Sequence, residues 1–170
     1  MKKLIIQTSP MHTASTFLVN ALYGLIPELN DKKIIGIWDQ NFDCFNDIIV
    51  IKNHDIDIDN LILKYDNYEL YFICSERKER NMLIDKKYKL YNNVCVFDFN
   101  ELNENKENTL PKIIENIYNK INNMLNVKLD IESGINRINR MNERYAKIKH
   151  LSFDYIDDFF EIHGSHRNRI

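Results

Sequence analysis

Hydrophobic positions along the chain fall into short continuous runs in the first hundred residues, interrupted by helical spacing after the first run and followed by it from residue 110. An apolar run at residues 4–7, closed by Ser9 and Pro10, predicts a buried strand. From Ser15 the period changes. Phe17, Leu18, Ala21, Leu22 and Leu25 recur as one face of a helix, and Pro27 marks its stop. Further apolar runs at 34–38, 47–52, 70–74 and 94–99 predict four more strands, with a short amphipathic helix at 59–64. Residues 110–125 return to helical spacing behind Thr109 as N-cap and Pro111 in the first turn. A polar, charged helix is predicted at 130–149, and a last one at 152–162 with Ser152 as its cap.

Short β-branched strands alternating with helices predict an α/β fold, a mostly parallel central sheet flanked by helices. No repeat is visible, and the linker-like run at 101–108 is too short to separate domains, so residues 1–170 read as one domain. The polar helix at 130–149 reads as a solvated flank, with pairing to a second copy in a homodimer as the other use of such a face.

Composition narrows the function classes. With 170 residues, 44% hydrophobic and 28% charged, the chain has the make-up of one ordinary globular domain. A net charge of −2 argues against a broad electrostatic grip on nucleic acid. Cys44, Cys74 and Cys95 show no paired spacing, which predicts free thiols rather than disulfides or a zinc site. Lys2, Lys3 and the apolar residues after them imitate a signal peptide only briefly, and no segment approaches the length of a membrane span. A cytoplasmic protein with no membrane partner and no bound metal is expected.

The candidate chemistry starts in the loop Ser9-Pro10-Met11-His12-Thr13-Ala14-Ser15-Thr16, between the first strand and the first helix. A loop there aims backbone N–H groups and the positive end of a helix at whatever lies beyond the strand, a setting for phosphate. Against the pattern G-x-x-x-x-G-K-[ST], Ser9 and Ala14 stand at the two glycines, Ser15 at the lysine and Thr16 at the Ser/Thr. Ser and Thr in this position also serve as plain helix caps. Without the lysine, ATP or GTP turnover is disfavoured.

Pro10-Met11-His12-Thr13-Ala14-Ser15-Thr16-Phe17-Leu18 resembles the 5′-phosphosulfate loop of sulfotransferases that use 3′-phosphoadenosine 5′-phosphosulfate (PAPS), whose pattern is close to P-[KR]-[ST]-x-G-[ST]-T-[WFL]-L. Met11 stands where that family keeps a Lys or Arg, Ala14 replaces a glycine, and His12 is a departure that can supply the missing positive charge. Val50-Ile51-Lys52-Asn53-His54 resembles the family's [IVL]-x-K-T-H segment. The resemblance implies a P-loop-type three-layer sandwich, with His54 as general base on an acceptor hydroxyl and Lys52 and His12 stabilising the transferring charge. Taken alone, His54 also reads as a surface histidine in a polar loop.

The segment Tyr71-Phe72-Ile73-Cys74-Ser75-Glu76-Arg77 resembles the strand that runs into the family's R-[ND]-P-x-[DE] element, where an Arg holds the 3′-phosphate. Arg77 and Ser75 are the candidates here, with Arg80 nearby. The same run reads equally as a solvated charged turn. His163, Gly164, Ser165, His166, Arg167 and Arg169 crowd donors into the tail, where the family closes a basic, Gly-containing segment over the 3′-phosphate. That assigns His166 and Arg167 to the nucleotide. His163 and His166 with Asp157 or Asp158 offer a weaker alternative as metal ligands.

The resulting expectation is sulfuryl transfer from PAPS to a hydroxyl acceptor, a carbohydrate or a small molecule. Met11, His12, Thr13, Ala14, Ser15, Thr16, Ser75, Arg77, His166 and Arg167 would hold the nucleotide. The alternatives are a non-catalytic module that binds a nucleotide or a sulfated glycan, and a nucleotide or nucleoside kinase.

Overall fold

A computed structural model describes residues 2–36, 47–54, 60, 63–103 and 109–164. Five strands form the central sheet: β1 (Lys2–Thr8), β2 (Ile35–Gly36), β3 (Ile48–Asn53), β4 (Tyr68–Glu76) and β5 (Val94–Asp98). Their order is β2-β3-β1-β4-β5, and every neighbouring pair is parallel. In register, Ile6 of β1 lies between Ile51 of β3 and Phe72 of β4. With both faces covered, the strands carry nearly continuous apolar runs rather than alternation.

The helices are α1 (Ser15–Leu25), the single turn α2 (Phe99–Leu102), α3 (Leu110–Leu125) and α4 (Ile131–Ile148). One sheet face presents Ile5, Val50, Ile73 and Phe97 to a core shared with Leu22 of α1, Ile117 of α3 and Ile138 of α4. The other face presents Leu4, Ile6, Ile51 and Phe72 to Tyr65, Ile84 and Tyr88, which belong to the connections that follow β3 and β4. The fold is thus α/β, a parallel five-stranded sheet flanked by helices.

α1 is buried almost all round because it lies between the sheet and α4. The approach of the two helices is close. A Cβ on Gly24 would sit 2.8 Å from the Cα of Gly134, so the contact requires glycine at position 24, and a Cβ on Gly134 would crowd the Ile114 and Leu25 side chains at 3.0–3.2 Å. The last carbonyl of α1, at Leu25, accepts the Asp130 N–H at 2.8 Å, which joins the end of α1 to the start of α4.

Two expectations are corrected. Helix α4 is not merely a solvated flank: Gly134, Arg137, Ile138, Met141 and Ile148 form a buried stripe, and its upper half runs along α1. Its polar composition hides that stripe because one member is an arginine. Residues 152–162 are not a helix. They hold turns and a small antiparallel pair, β6 (Ile156–Asp157) with β7 (Ile162–His163). The rings of both Phe159 and Phe160 pack on the Arg137 guanidinium, at 5.1 and 5.3 Å, whereas successive residues of a helix point in different directions. The Gly164 N–H bonds the Tyr155 carbonyl, and a Cβ there would strike the Ser152 carbonyl.

Smaller differences are at element ends. Phe99 opens α2 instead of closing β5, because Asp98 and Glu101 form a reciprocal capping box there. Thr109 occupies the N-cap of α3 without a side-chain bond. The strand foreseen at 34–38 is β2 as far as Gly36, and Ile37, Trp38 and Cys44 lie outside the described residues, as do Asp59, Leu61 and Ile62 of the helix foreseen at 59–64. Cys74 and Cys95 are free thiols, pushed up to about 12 and about 11 by burial. Among the described residues no helix is long and apolar enough to cross a membrane.

Candidate functional site

The C-terminal ends of β1, β3 and β4 lie side by side, with β1 in the middle. The chain leaves β1 through α1 on one face of the sheet and leaves β3 through Tyr65 on the other. Open parallel sheets gather ligands at such a reversal, beyond the carboxyl ends of the strands.

The loop from Ser9 to Ala14 sits there. His12 and Ala14 both have left-handed backbone, with φ of 67° and 63°. For residues other than glycine that conformation is strained, and the strain clusters at one loop. Ala14 is also the N-cap of α1 and makes no side-chain cap bond. The alignment of Ala14 with a motif glycine therefore has a backbone counterpart.

Buried hydroxyls hold the loop in shape. Ser9 Oγ accepts from Gln7 Nε2 at 2.8 Å and from the Ser75 N–H at 2.8 Å, and Ser75 Oγ donates to it at 3.0 Å. Thr13 Oγ1 donates to the Pro10 carbonyl at 2.7 Å and lies 3.0 Å from Ser75 Oγ. Ser9, Thr13 and Ser75 are all buried. Thr13 of the loop and Ser75 of β4, foreseen as nucleotide-binding, thus lie side by side with their hydroxyl protons given to the Pro10 carbonyl and to Ser9 Oγ. Met11 is 65% exposed at the outer part of the loop and His12 is exposed beside it.

Strand β3 delivers Lys52 and His54 to the same edge. Lys52 is opposite Gln7 in register and points toward α1. Its ammonium, 1% exposed as a residue, donates to Thr16 Oγ1 at 3.3 Å and pairs with Glu161 Oε1 at 3.4 Å. His54 lies past the end of β3, exposed, with Nδ1 at 2.8 Å from the Ser9 carbonyl oxygen. A carbonyl only accepts, so Nδ1 carries the proton, and in the neutral ring Nε2 is the bare acceptor. Protein atoms crowded against the exposed ring hold its pKa below the ordinary histidine value. The Ser9 carbonyl opposes that shift, and the Lys52 charge adds to it. His54 is neutral at pH 7.

Arg77 reaches the same sheet edge by another route. Its guanidinium pairs with Glu79 and lies 4.0 Å from the centroid of the Phe99 ring. Ser15 is buried in the first turn of α1, with Thr16 half-buried next to it. His166 and Arg167 lie outside the described residues. The structure therefore brings the loop, Thr16, Lys52, His54 and Ser75 together, with Arg77 at the end of the neighbouring strand.

Sequence reading missed Glu161. It is 1% exposed with φ of 49°, and its carboxylate takes Lys52 and, at 2.8 Å, His163 Nε2. Burial alone would raise its pKa, but the bond from His163 and the charge of Lys52 outweigh that and hold it below the usual carboxylate range. No local signal marks it: a glutamate between Phe160 and Ile162 reads as the polar face of an amphipathic segment. Among the described residues no group of three His, Cys, Asp or Glu side chains is arranged to hold a metal.

Compared with protein-family models, curated proteins and solved structures, the chain matches none of them.

Proposed function

We propose that the chain transfers a sulfuryl group from PAPS to a hydroxyl acceptor, a carbohydrate or a small molecule, with His54 as the general base. The observation that carries this reading is the 2.8 Å contact of His54 Nδ1 with the Ser9 carbonyl, which leaves Nε2 as the proton acceptor beside the loop. Nε2 takes the acceptor's hydroxyl proton as that oxygen attacks sulfur. The bond from sulfur to the 5′-phosphate oxygen then breaks, and 3′-phosphoadenosine 5′-phosphate leaves. Lys52, with Thr16 at the start of α1, stabilises the charge that develops on the bridging oxygen.

The loop's N–H groups and the first turn of α1 hold the phosphosulfate in this reading, with His12 adding charge, while Arg77, His166 and Arg167 take the 3′-phosphate. The finer description of the fold as a P-loop-type three-layer sandwich belongs to the same proposal. The left-handed Ala14, at a motif glycine, supports it.

A thermal-shift titration with 3′-phosphoadenosine 5′-phosphate, against ADP, ATP and AMP, tests the nucleotide. Stabilisation by the bisphosphate alone is expected; a response to ATP alone would replace this reading with a kinase. His54→Ala is then expected to lower turnover by ~10²–10⁴-fold while bisphosphate binding persists. Turnover equal to the parent protein removes His54 as base.

The exposed Met11 favours a second reading, a non-catalytic module for a nucleotide or a sulfated glycan, since the resembling family has a cation there. Met11→Lys raising sulfuryl transfer supports the enzyme. Bisphosphate binding with no transfer to any acceptor in either protein supports the module.

A further inference from the structure

Glu161 combines three costs at one residue. Its carboxylate is buried, its backbone is left-handed, and its Oε2 has no hydrogen-bond partner among the described residues. Each is unfavourable by itself. The left-handed backbone closes the turn 158–161 of the hairpin, but a buried carboxylate with an open oxygen is not needed to build it. A buried Lys–Glu pair also gives no stability that apolar residues of similar volume could not provide. A buried carboxylate with an open oxygen, kept against a cation at a candidate site, points to a role in that site.

The surroundings show how the carboxylate is aimed. Asn20 of α1 donates through Nδ2 both to the Thr16 carbonyl, in the first turn of its own helix, and to the carbonyl of Phe160. Arg137 of α4 donates to the carbonyl of Phe159 at 2.9 Å. The two residues before Glu161 are therefore fastened, one to α1 and one to α4. Glu161 then reaches Lys52 Nζ, and Lys52 reaches Thr16 Oγ1. A lysine carries its charge on a flexible four-carbon stem. Between a fixed carboxylate and the Thr16 hydroxyl, that charge is held at the start of α1.

We propose that Glu161 is a positioning residue: it is the fixed counter-ion that holds the Lys52 ammonium on Thr16 beside the phosphate loop, and it makes the C-terminal hairpin a working part of the transfer site. The inference rests on the sulfuryl-transfer reading for its effect on turnover, but not for its effect on Lys52. Among the described residues, the charged and titratable groups in contact with Glu161 are Lys52 from β3 and His163 from β7, with His54 coupled to it through space.

The test compares the full chain with Glu161→Gln, which keeps the shape and removes the charge. Expected are a kcat lower by at least tenfold and a KM for PAPS within twofold of the parent value. The acid limb of kcat/KM is expected to move to lower pH, because the Glu161 charge favours protonation of His54. Glu161→Asp keeps the charge, tolerates left-handed backbone and falls one methylene short, so its kcat is expected between the two. If the Gln variant does not fold, the Asp variant takes the same readings.

Unchanged kcat and an unmoved acid limb overturn the proposal. A second readout needs no activity: the Nζ resonance of Lys52 in protein labelled with ¹⁵N-lysine. It is expected to shift or broaden in Glu161→Gln, and an unchanged resonance overturns the proposal. If the parent protein neither binds 3′-phosphoadenosine 5′-phosphate nor turns over PAPS, the functional reading fails alone, and the Lys52 resonance still decides the role of Glu161.

Discussion

Arg137→Met tests how the hairpin is tied to the body of the protein. The residue is fully buried, and its guanidinium faces no carboxylate among its hydrogen-bond partners. It donates instead to the carbonyls of Asn30, Lys32 and Phe159 and lies 5.1–5.3 Å from the ring centroids of Tyr23, Phe159 and Phe160. Burial pulls its pKa down to about 10, which marks how costly the unneutralised ion is. Methionine fills much of the space and donates nothing.

Bonds from a charged donor contribute ~1.5–3 kcal/mol each, so three lost bonds cost about 4–9 kcal/mol before any compensation. The ring contacts add ~1–2 kcal/mol. Against this, the variant no longer buries an ion, a relief of several kcal/mol. The difference leaves a net loss of about 3 kcal/mol, which for a chain of this size lowers Tm by roughly 6–12 °C. Thermal and urea unfolding followed by circular dichroism read the loss. Amide exchange at Gly164, whose N–H bonds the Tyr155 carbonyl, reads whether the hairpin loosens ahead of the rest. A Tm within ~2 °C of the parent protein, with Gly164 exchange unchanged, refutes the reasoning.

Three further outcomes are expected. Gly24→Ala drives a methyl to 2.8 Å from the Gly134 Cα and 2.9 Å from the Arg137 Cβ, so denaturant unfolding should show a loss of ~1–3 kcal/mol despite alanine's better helix propensity. Sulfuryl transfer should fall on the acid side with a midpoint below the ordinary histidine value, because the required base, His54, is held neutral by its surroundings; a limb above that value removes His54 from the limb. Stability should fall on acidification in two stages read by Tm against pH. The first runs from the ordinary histidine pKa down to the lowered one of His54, where the unfolded chain takes up a proton and the native ring does not. The second lies below the ordinary carboxylate range, where the unfolded Glu161 is protonated before the native one. A Tm flat from pH 7 to 5 contradicts the first sign, and a Tm that stays flat on further acidification contradicts the second.

The sheet was legible because its signal is local. Residues 4–6, 49–51 and 71–74 are apolar without interruption, as strands covered on both faces must be, and the Ser9–Pro10 break and Pro27 stop bracket α1. The loop and the 52–54 segment were legible for the same reason: each sits within a few residues of a strand end, so spacing alone places it at the sheet's carboxyl edge. Residues 152–162 were not. Tyr155, Ile156, Phe159, Phe160 and Ile162 fit helical spacing, but the segment's conformation is decided by Arg137, which captures one carbonyl and two rings of it.

Arg137 is itself concealed. On a helix rich in Asn, Arg and Glu it reads as surface, and only the space left opposite Gly24 and Gly134 shows that α4 must run against α1. Glu161 inherits both obscurities, since its position depends on a residue whose burial the sequence does not announce. Its partner Lys52 was assigned to the site from the strand that carries it, yet a lysine at a strand end says nothing about what neutralises it. A buried cation needs partners for its donors, carbonyls as at Arg137 or a counter-ion, so the question that the sequence leaves open at Lys52 is a specific one. The hairpin answers it with a carboxylate 109 residues further along the chain.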